Sequence, residues 1–558
     1  MARAIDRYGL RRILGRIDGR GYGAYRVLRG ITIDYGIARA VFAKVQSDPY
    51  APPSVLEAFI PSKNHGLPEE FLRAEFETPL TDYVARAVYT ALASVRRKCG
   101  SGYSCYIGFP KPGPWVLRRS CVDLKNGGIV LRLYVGLPAS GRRVLGGKAF
   151  TLLADHVMLA LRRVVELRND REAIRRHIMN YVDQEYLRRW LYSNDYMLFI
   201  RDGSVLPRAS SVTELPMKGA VPFRPPSTLR VSVRLPSGKV VTGMAVRRGL
   251  LLITGGAYHG KTTLLEAIQE GIYNHVEGDG REGVVSRKYA VMVRAEDGRI
   301  VTHVDISTFI GKLPTGTDTR DYVSLDSSGS TSMAASINEA VEAGADLILI
   351  DEDTSATNLL YKDEVMAKII PEDPIRPLSA QVRDMIAKAG VGVVAVLSAS
   401  SAFIEPSDRV IAMRAYIPND ITGDVKGSTP NNAELAPYRR PRPRFFMGVR
   451  GLRRVRSRGY KVVADYVNGE RFEVDLTYYP RIVERGQVKL LAHIIERVSR
   501  IGKPMLVRNL VSHVNSLFRR EGFSAFTDIV TPDLTEVDGF DVVWVLNRLY
   551  NAVFTQQH

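Results

Sequence analysis

At 558 residues the chain exceeds the size at which one hydrophobic core stops growing, so we expect two to four domains. Apolar residues make up 45% and charged residues 25%, the balance of a globular rather than a disordered chain. No apolar run approaches the roughly 18 residues needed to cross a bilayer, and the charged start MARAIDRYGLRR is no secretory signal.

The chain is strongly basic, with a net charge of +19 and a pI near 9.7. Arginine supplies 60 of the 78 basic residues. Because a guanidinium group binds phosphate through a planar fork and stacks on bases, this excess favours a nucleic-acid partner. The alternative is an arginine-rich composition inherited from a G+C-rich or heat-loving source.

Three cysteines, Cys99, Cys105 and Cys121, lie near one another without the CxxC spacing of metal ligands. An odd and small number of cysteines suits a reducing compartment better than a disulfide framework. We therefore expect a cytoplasmic protein in which the cysteines are structural.

Residues 1–220 show mixed helical and strand patterns, which predict an N-terminal α+β domain. Apolar residues at helical spacing predict helices over Asp82–Lys98, Ala149–Val165 and Asp183–Leu191. The alternation in Val130–Val135 predicts a strand.

The same region contains a basic stretch, GRIDGRGYGAYRVLRG (Gly15–Gly30), in which arginines alternate with tyrosines and glycines. Tyrosine rings stack on bases in proteins that bind single strands, so Arg20, Tyr22 and Tyr25 are candidate nucleic-acid contacts. The alternative is a structural turn with core tyrosines and solvated arginines.

A second region is expected over residues 221–430. It opens with a proline-rich linker, VPFRPP (Val221–Pro226). Two β-like runs follow, Leu229–Leu235 and Lys239–Val246, and the Pro-Ser-Gly between them predicts a hairpin.

The stretch TGGAYHGKTTLLEAI (Thr254–Ile268) contains the P-loop pattern GxxxxGK[ST], with an apolar run before it and an amphipathic run after it. Glycines let backbone N–H groups wrap phosphates, while Lys261 reaches the β- and γ-phosphates and the Thr262 hydroxyl binds Mg²⁺. We interpret His259 as a residue that shapes the loop. The residues expected to line the pocket are Gly255, Gly256, Ala257, Tyr258, His259, Gly260, Lys261, Thr262 and Thr263.

A second motif, DLILIDED (Asp346–Asp353), predicts a buried strand that delivers two carboxylates at its C-terminal edge. Asp351 is expected to hold Mg²⁺. Glu352 is expected to act as general base on the water that attacks the phosphoric anhydride bond of ATP. The alternative is an ordinary buried strand that ends in a solvated acidic turn.

The run DEDTSATN (Asp351–Asn358) resembles the DEPTSALD run of ABC-type ATPases. That resemblance implies a signature motif upstream, where SSGSTS (Ser327–Ser332) opens a helical run. A helix start of small residues presents N–H groups and hydroxyls to a γ-phosphate, which in the ABC arrangement is bound to the partner subunit. The alternative is an ordinary helix cap. The implied contacts are Ser328, Gly329, Ser330 and Thr331.

Two features of ABC transporter ATPases are missing. Ser398–Ser401 stands where a switch histidine is expected, after the run Val391–Leu397. Arg294–Arg299 occupies the interval of the Q-loop glutamine. Since transporter ATPases keep both residues, these departures argue against ordinary transporter coupling.

Ten basic residues and no acid lie between Arg439 and Lys461, with Phe445, Phe446 and Tyr460 among them. Such a run favours a polyanion whose binding weakens steeply with salt, through counterion release. A solvated flexible linker is the alternative. The candidate nucleic-acid contacts are Arg439, Arg440, Arg442, Arg444, Arg453, Arg454, Arg456 and Arg458.

Together these motifs resemble the family described as predicted ATPases of the ABC class, which is distinct from transporters. The resemblance covers roughly residues 10–430. It implies an ABC-like core with flanking domains, a homodimer, and binding of RNA or DNA. The matching stretches are IDGRGYGAY, QSDPYAPPS, VGLPASGR, RDGSVLPR, GGAYHGKTTLLEAI, GDGRE, RAEDGR, VDIS, SSGSTS and IDEDTSATNLL.

The sequence thus predicts an α/β P-loop NTPase with an ABC-ATPase-like core at residues 221–430. An α+β domain at 1–220 and a small basic α+β domain at 431–558 flank it. The expected function is that of an ATPase that uses ATP and Mg²⁺ as a homodimeric, nucleotide-gated clamp on RNA or DNA. The alternative is a nucleotide-dependent assembly scaffold with little turnover and protein partners.

Overall fold

The chain folds into two compact units in the computed structural model. The first unit comprises Met1–Tyr181 and Glu521–Glu536, and the second comprises Val182–Arg520 and Val537–His558. The boundary predicted at 430 lies outside the described residues, so the three-domain division stays a prediction. The structure describes residues 3–95, 98–363, 368–370, 372–426 and 436–557.

A seven-stranded sheet forms the centre of the first unit. Its strands run in the order Arg3–Ile5, Ile31–Asp34, Arg39–Lys44, Ser54–Ile60, Gly128–Val135 and Ile107–Gly108, and Val122–Lys125 also pairs with Gly128–Val135. The first two strands are parallel and the remaining pairs are antiparallel. Gly128–Val135 confirms the strand predicted over Val130–Val135.

Helices of the first unit pack where apolar side chains recur at helical spacing. Leu80, Val84 and Val88 lie on one buried face, which is why the helix predicted from Asp82 forms, although it begins earlier, at Glu77. The helix predicted over Ala149–Val165 is interrupted by a π turn at Leu152–His156. The helices are Arg7–Ile17, Ser62–His65, Glu77–Leu92, Gly146–Thr151, Val157–Glu166 and the first part of Arg171–Ser193, which also contains the predicted Asp183–Leu191.

Two of the three cysteines are paired, which the sequence did not predict. Cys99 and Cys105 form a disulfide, because the turn between them brings their Cα atoms to 5.5 Å. Cys121 is buried. The sequence pattern of a few unevenly spaced cysteines did not indicate this pair.

A six-stranded, mostly parallel sheet forms the centre of the second unit. Its order is Ala290–Val293, Leu347–Asp351, Gly392–Val396, Leu250–Gly255, Arg409–Arg414 and Ile417–Asp420, of which only the last is antiparallel. We call Leu250–Gly255 the P-loop strand, Lys261–Glu270 the P-loop helix and Leu347–Asp351 the carboxylate strand. All of the carboxylate strand is buried, as its apolar run predicts.

The P-loop helix packs onto this sheet through its apolar face. Leu264, Leu265 and Ile268 belong to one buried cluster with strand residues that include Leu251 and Leu349. Burial of side chains of this size stabilises the fold by about 1.5–3 kcal/mol each. The P-loop and the end of the carboxylate strand are thereby fixed relative to each other.

The rest of the second unit comprises smaller sheets and helices. Arg230–Arg234 and Val240–Arg247 pair antiparallel, which confirms the predicted hairpin. Much of the basic run after Arg439 forms strands rather than a linker. None of the described helices is both long and apolar enough to cross a membrane. The remaining strands are Tyr196–Arg201, Arg208–Ser210, Thr213–Pro216, Val284–Ser286, Arg299–Val304, Tyr322–Ser327, Arg444–Val449, Leu452–Arg458, Lys461–Tyr466, Arg471–Asp475, Met505–Leu506 and Ala552–Gln556. The remaining helices are Gly329–Ala343, Thr357–Leu360, Leu378–Ala389, Thr422–Val425, Arg485–Val498, Val507–Glu521 and Gly539–Leu546.

Candidate nucleotide-binding site

The P-loop strand ends in a turn that requires glycine. Gly255 has a φ of +132°, and a Cβ atom on it would lie 2.5 Å from the carbonyl oxygen of Met413. Gly260 has a φ of +89°, and the P-loop helix begins at the next residue, Lys261. The loop therefore opens onto a helix N-terminus, whose N–H groups favour an anion.

Two side chains give this loop its particular shape. Tyr258 has a left-handed φ of +62° and is 94% exposed. That conformation costs a residue with a Cβ atom about 1–2 kcal/mol. His259 fits its predicted role in shaping the loop, since its Nδ1 lies 3.1 Å from the carbonyl oxygen of Met413 and 3.3 Å from the amide nitrogen of Ala415.

Lys261 folds back over the loop. Its Nζ donates to the carbonyl oxygens of Gly255 and Gly256, each at 2.8 Å. Because a phosphate oxygen is a stronger, charged acceptor than a carbonyl oxygen, a bound triphosphate would compete for these hydrogen bonds. The ammonium group already lies where the phosphates are expected.

The end of the carboxylate strand meets the start of the P-loop helix. The Thr262 Oγ1 donates to Asp351 Oδ2 at 3.3 Å. Burial raises the pKa of the Asp351 carboxyl. Hard oxygen donors of this kind suit Mg²⁺, which takes one or two protein oxygens together with substrate phosphates rather than a protein cage. Thr262 and Asp351 are therefore the candidate ligands, and in the described residues no group of three or more His, Cys, Asp or Glu could hold a metal.

Glu352 follows directly and is held from two sides. Its Oε2 accepts from the amide nitrogens of Ser398 and Ala399, at 2.7 and 3.3 Å. Its Oε1 accepts from the Tyr361 hydroxyl at 2.8 Å. The serine-rich segment that lacks a histidine therefore positions the candidate base through its backbone. Sequence reasoning missed Tyr361, which lies outside every recognised motif.

The helix Gly329–Ala343, here called the Gly329 helix, begins with an exposed serine. Ser328 is the N-cap, but its side chain does not cap the helix amides. Ser330 Oγ donates to Asn358 Oδ1 at 2.8 Å. Thr331 is only 8% exposed and donates to the Ser328 carbonyl at 3.0 Å. In the part of the chain that the structure describes, no side-chain hydrogen bond joins Ser328–Ser332 to the P-loop.

Comparison with known families decides the class. A family model for ABC ATPases, described as the P-loop domain, matches residues 170–443. A second model, described as ATPase of the ABC class N-terminal, matches residues 8–168. The chain belongs to the ATPases of the ABC class. Its core is an α/β P-loop NTPase fold, and membership of the class supports ATP binding and hydrolysis as the activity.

Individual relatives of this ABC-class ATPase add little about its task. One is the uncharacterized protein MJ1628 of Methanocaldococcus jannaschii, 35% identical over an alignment of 215 positions that covers 35% of this chain. The match spans about half of that relative, 47% of its length. Among solved structures, cbiO1 from Clostridium perfringens, part of the ABC transporter complex cbiONQ, is 12% identical with a TM-score of 0.25, over 40% of this chain and 87% of that one. At this score the likeness carries no argument.

In this ABC-class ATPase the interval expected to hold the Q-loop glutamine contains a buried ion-pair network. Glu296 accepts from Arg548 at 2.5 Å, and its amide nitrogen donates to Ser332 Oγ at 2.9 Å. Arg299 donates to Glu339 of the Gly329 helix at 2.5 Å. Burial would raise the pKa of Glu296, but the charges of Arg548 and Arg299 outweigh it and lower that pKa to about 2.

The tyrosines predicted to stack on bases are part of the first unit's core, and this prediction is corrected. Tyr22 and Tyr25 are 4% and 0% exposed. Their hydroxyls donate to the carbonyl oxygens of Leu137 and Pro138, at 3.0 and 2.7 Å. Arg20 remains exposed. The shared motif around them is explained by this internal packing.

The arginines predicted after residue 438 differ in environment. Arg444 is 1% exposed and donates to Glu342 at 2.6 Å, so its predicted contact with nucleic acid is wrong. Arg456 is half-buried and pairs with Asp465 at 3.1 Å. Arg440 donates to a backbone carbonyl.

The remaining candidates form an exposed basic set, which also includes Arg450. Among the described residues no ion pair involves any of their side chains, and each of them is exposed. Several lie along the strand Leu452–Arg458. The exposed basic set is Arg439, Arg442, Arg450, Arg453, Arg454 and Arg458.

Proposed function

We propose that the chain is an ATP-hydrolysing homodimer that closes on RNA or DNA, with two nucleotides enclosed between two copies. The start of the Gly329 helix carries this proposal. Ser328 is exposed, its side chain leaves the helix amides uncapped, and the segment does not bond to its own P-loop in the described residues. A second copy would place a γ-phosphate against these donors.

The chemistry of the proposed site follows from four side chains. Lys261 would bind the β- and γ-phosphates, and Thr262 and Asp351 would hold Mg²⁺. When bound, Mg²⁺ neutralises charge that develops on the transferred phosphoryl group. Glu352 would accept a proton from the attacking water at the lone-pair site of Oε1 that its hydrogen bond from Tyr361 leaves open.

Charge supports a polynucleotide as the partner. The net charge is +19, and the six arginines of the exposed basic set form no ion pair within the described residues, although the charge of Arg442 acts on Asp318. Uncompensated guanidinium groups are favourable next to phosphates and repel one another without them. The cytoplasmic location expected from the sequence remains part of this proposal.

The clamp is tested by the nucleotide dependence of nucleic-acid binding. The affinity of the full chain for labelled single-stranded RNA, single-stranded DNA and a duplex is measured with and without a non-hydrolysable ATP analogue and Mg²⁺. The proposal expects the analogue to change the affinity for at least one polymer. It also expects Arg453→Ala to weaken binding, whereas the control Arg234→Ala, on an exposed strand position, has no effect. If the affinity for every polymer is the same with and without the analogue, the clamp is contradicted.

A second candidate is a nucleotide-gated scaffold with slow turnover and protein partners. It is favoured by the missing switch histidine and by the engagement of both Glu352 oxygens. The ATPase rate, measured with and without each polymer, separates the two candidates. Stimulation by one polymer supports the clamp, and no stimulation by any polymer supports the scaffold.

A further inference from the structure

Arg294 lies beside the catalytic carboxylates at the same edge of the sheet. Its strand, Ala290–Val293, is the parallel neighbour of the carboxylate strand, and Val293 is level with Ile350. The next residues, Arg294 and Asp351, therefore leave the two strands side by side, at the carboxyl ends where sheets of this type bind ligands.

The side chain of Arg294 lies on the face that carries the P-loop helix. Met292, two residues earlier, packs in one cluster with Leu264 and Leu265 of that helix. Alternate residues of a strand share a face, so Arg294 lies on the same side. Its Nη2 lies 3.3 Å from the Met292 sulfur, as this geometry requires.

The guanidinium group of Arg294 has no carboxylate within ion-pair distance among the described residues, although the charges of Glu266 on the P-loop helix and of Asp351 act on it at longer range. Its Nε is buried and has no hydrogen-bond partner, and a thioether sulfur is a weak acceptor. No ion pair in the described part of the chain involves it. Arg294 is half-buried, and two buried arginines of the same unit are closely paired, Arg299 with Glu339 at 2.5 Å and Arg481 with Asp541 at 2.6 Å. A cation left unpaired in this way is free for an anion that the protein does not itself supply.

The side chain of Arg294 has space to change rotamer. A cavity of about 420 Å³ borders it, lined also by Ala295, Thr354 and Trp544, and none of the lining residues belongs to the P-loop. Because Val293 and Ile350 are level in adjacent strands, Arg294 follows its strand next to Asp351, the candidate Mg²⁺ ligand.

We propose that Arg294 binds the terminal phosphate of ATP, from the interval where transporter ATPases carry a glutamine. This inference rests on the proposed nucleotide site. Lys261 enters that site from the P-loop, and Arg294 enters it from the carboxylate side, which the γ-phosphate faces. A planar fork of donors matches phosphate oxygens, and each such contact contributes only when the third phosphate is present.

The test compares nucleotides with and without the terminal phosphate. Dissociation constants of the full chain for ADP and for the imido analogue of ATP, both with Mg²⁺, are measured by titration calorimetry. For Arg294→Ala we expect about 10–100-fold weaker binding of the analogue and ADP binding within about twofold of wild type. Arg294→Lys should lie between, and Arg234→Ala should match wild type.

The experiment separates a failure of the role of Arg294 from a failure of the proposed nucleotide site. If the wild-type chain binds neither nucleotide, the proposed function fails. If Arg294→Ala weakens both nucleotides equally or neither of them, the role of Arg294 is refuted while the site stands. Arg294→Met keeps the length of the side chain and its contact with Met292, so it provides the same comparison if the alanine variant does not fold.

Discussion

Glu352 is the proposed general base, and its environment is more constrained than a motif suggests. One oxygen is occupied by the Tyr361 hydroxyl and the other by two backbone amides. Burial raises the pKa of Tyr361, and its hydrogen bond to Glu352 raises it further, so the hydroxyl stays a donor at neutral pH. These three hydrogen bonds hold the proposed base in one position.

Replacing Glu352 by glutamine should separate binding from hydrolysis. The amide keeps the size of the side chain but cannot accept a proton from water. We expect the ATPase rate of Glu352→Gln to fall about 10²–10⁴-fold, with nucleotide affinity within a few-fold of wild type. Phosphate release and titration calorimetry measure the two effects. A variant that hydrolyses at the wild-type rate would show that another group is the base.

Replacing Lys261 should remove the nucleotide and leave the basic surface intact. Loss of a charged donor to phosphate costs about 1.5–3 kcal/mol, so Lys261→Ala should bind ATP at least about tenfold more weakly. Salt-sensitive binding of RNA or DNA should persist, because the exposed basic set lies on other segments. Lys312→Ala, on an exposed position, is the control. Equal loss of both activities would mean that the basic surface forms only with nucleotide.

At the scale of elements, the Gly329 helix is anchored by ion pairs with residues on other segments. Glu339 on the helix pairs with Arg299. Glu296, which lies close to Arg299, pairs with Arg548. The amide of Glu296 also binds Ser332, within the first turn of the helix. Movement at the helix start is therefore coupled to the interval that contains Arg294.

This network predicts an acid limit to stability. The pKa of Glu296 is about 2 in the folded chain, below its ordinary 4.5. A carboxyl group whose pKa is lowered on folding stabilises the fold at pH values above its ordinary pKa. That contribution is lost as the pH falls from about 4.5 towards 2. Urea unfolding at a series of pH values should show a decline in the free energy of unfolding across this window. Glu296→Gln should flatten the decline, and an unchanged slope would contradict the assignment.

Local patterns were sufficient for the elements that build the site. The P-loop strand, the carboxylate strand and the hairpin before them depend on short apolar runs and turn residues, which are visible in sequence. Tyr22, Tyr25 and Arg444 were misjudged because their burial comes from residues far along the chain, such as Leu137 and Glu342. Arg548 was missed for the same reason, whereas Tyr361 was missed because it lies just beyond the recognised motif, although its partner Glu352 is near in sequence.

At the scale of the whole molecule, excess positive charge remains after ion pairing. Many arginines pair with acids inside the units, which the net charge of +19 does not reveal. The exposed basic set is one cluster of such unpaired arginines, and other exposed basic residues, such as Arg20 and Arg234, lie on other segments. We base the nucleic-acid proposal on the six clustered arginines rather than on composition.

The salt dependence of polynucleotide binding tests this set. Each phosphate contact contributes a slope of about 0.7 for single strands and 0.9 for duplexes to the decline of log K with log salt. Arg453→Ala and Arg454→Ala should each reduce the slope by about that amount and weaken all sequences alike. Arg444→Ala should instead destabilise the fold, because it leaves the buried Glu342 without its partner. If no variant of the exposed basic set changes the slope of log K against log salt, the nucleic acid binds to another surface.

The mass of Glu352→Gln in saturating Mg²⁺ and ATP, measured by light scattering, tests the central claim most directly. If two copies enclose the nucleotides, the variant that cannot hydrolyse ATP should be trapped at twice the chain mass of 62.1 kDa. Removal of nucleotide should return it to a single chain. A mass of one chain with ATP bound would contradict the shared site.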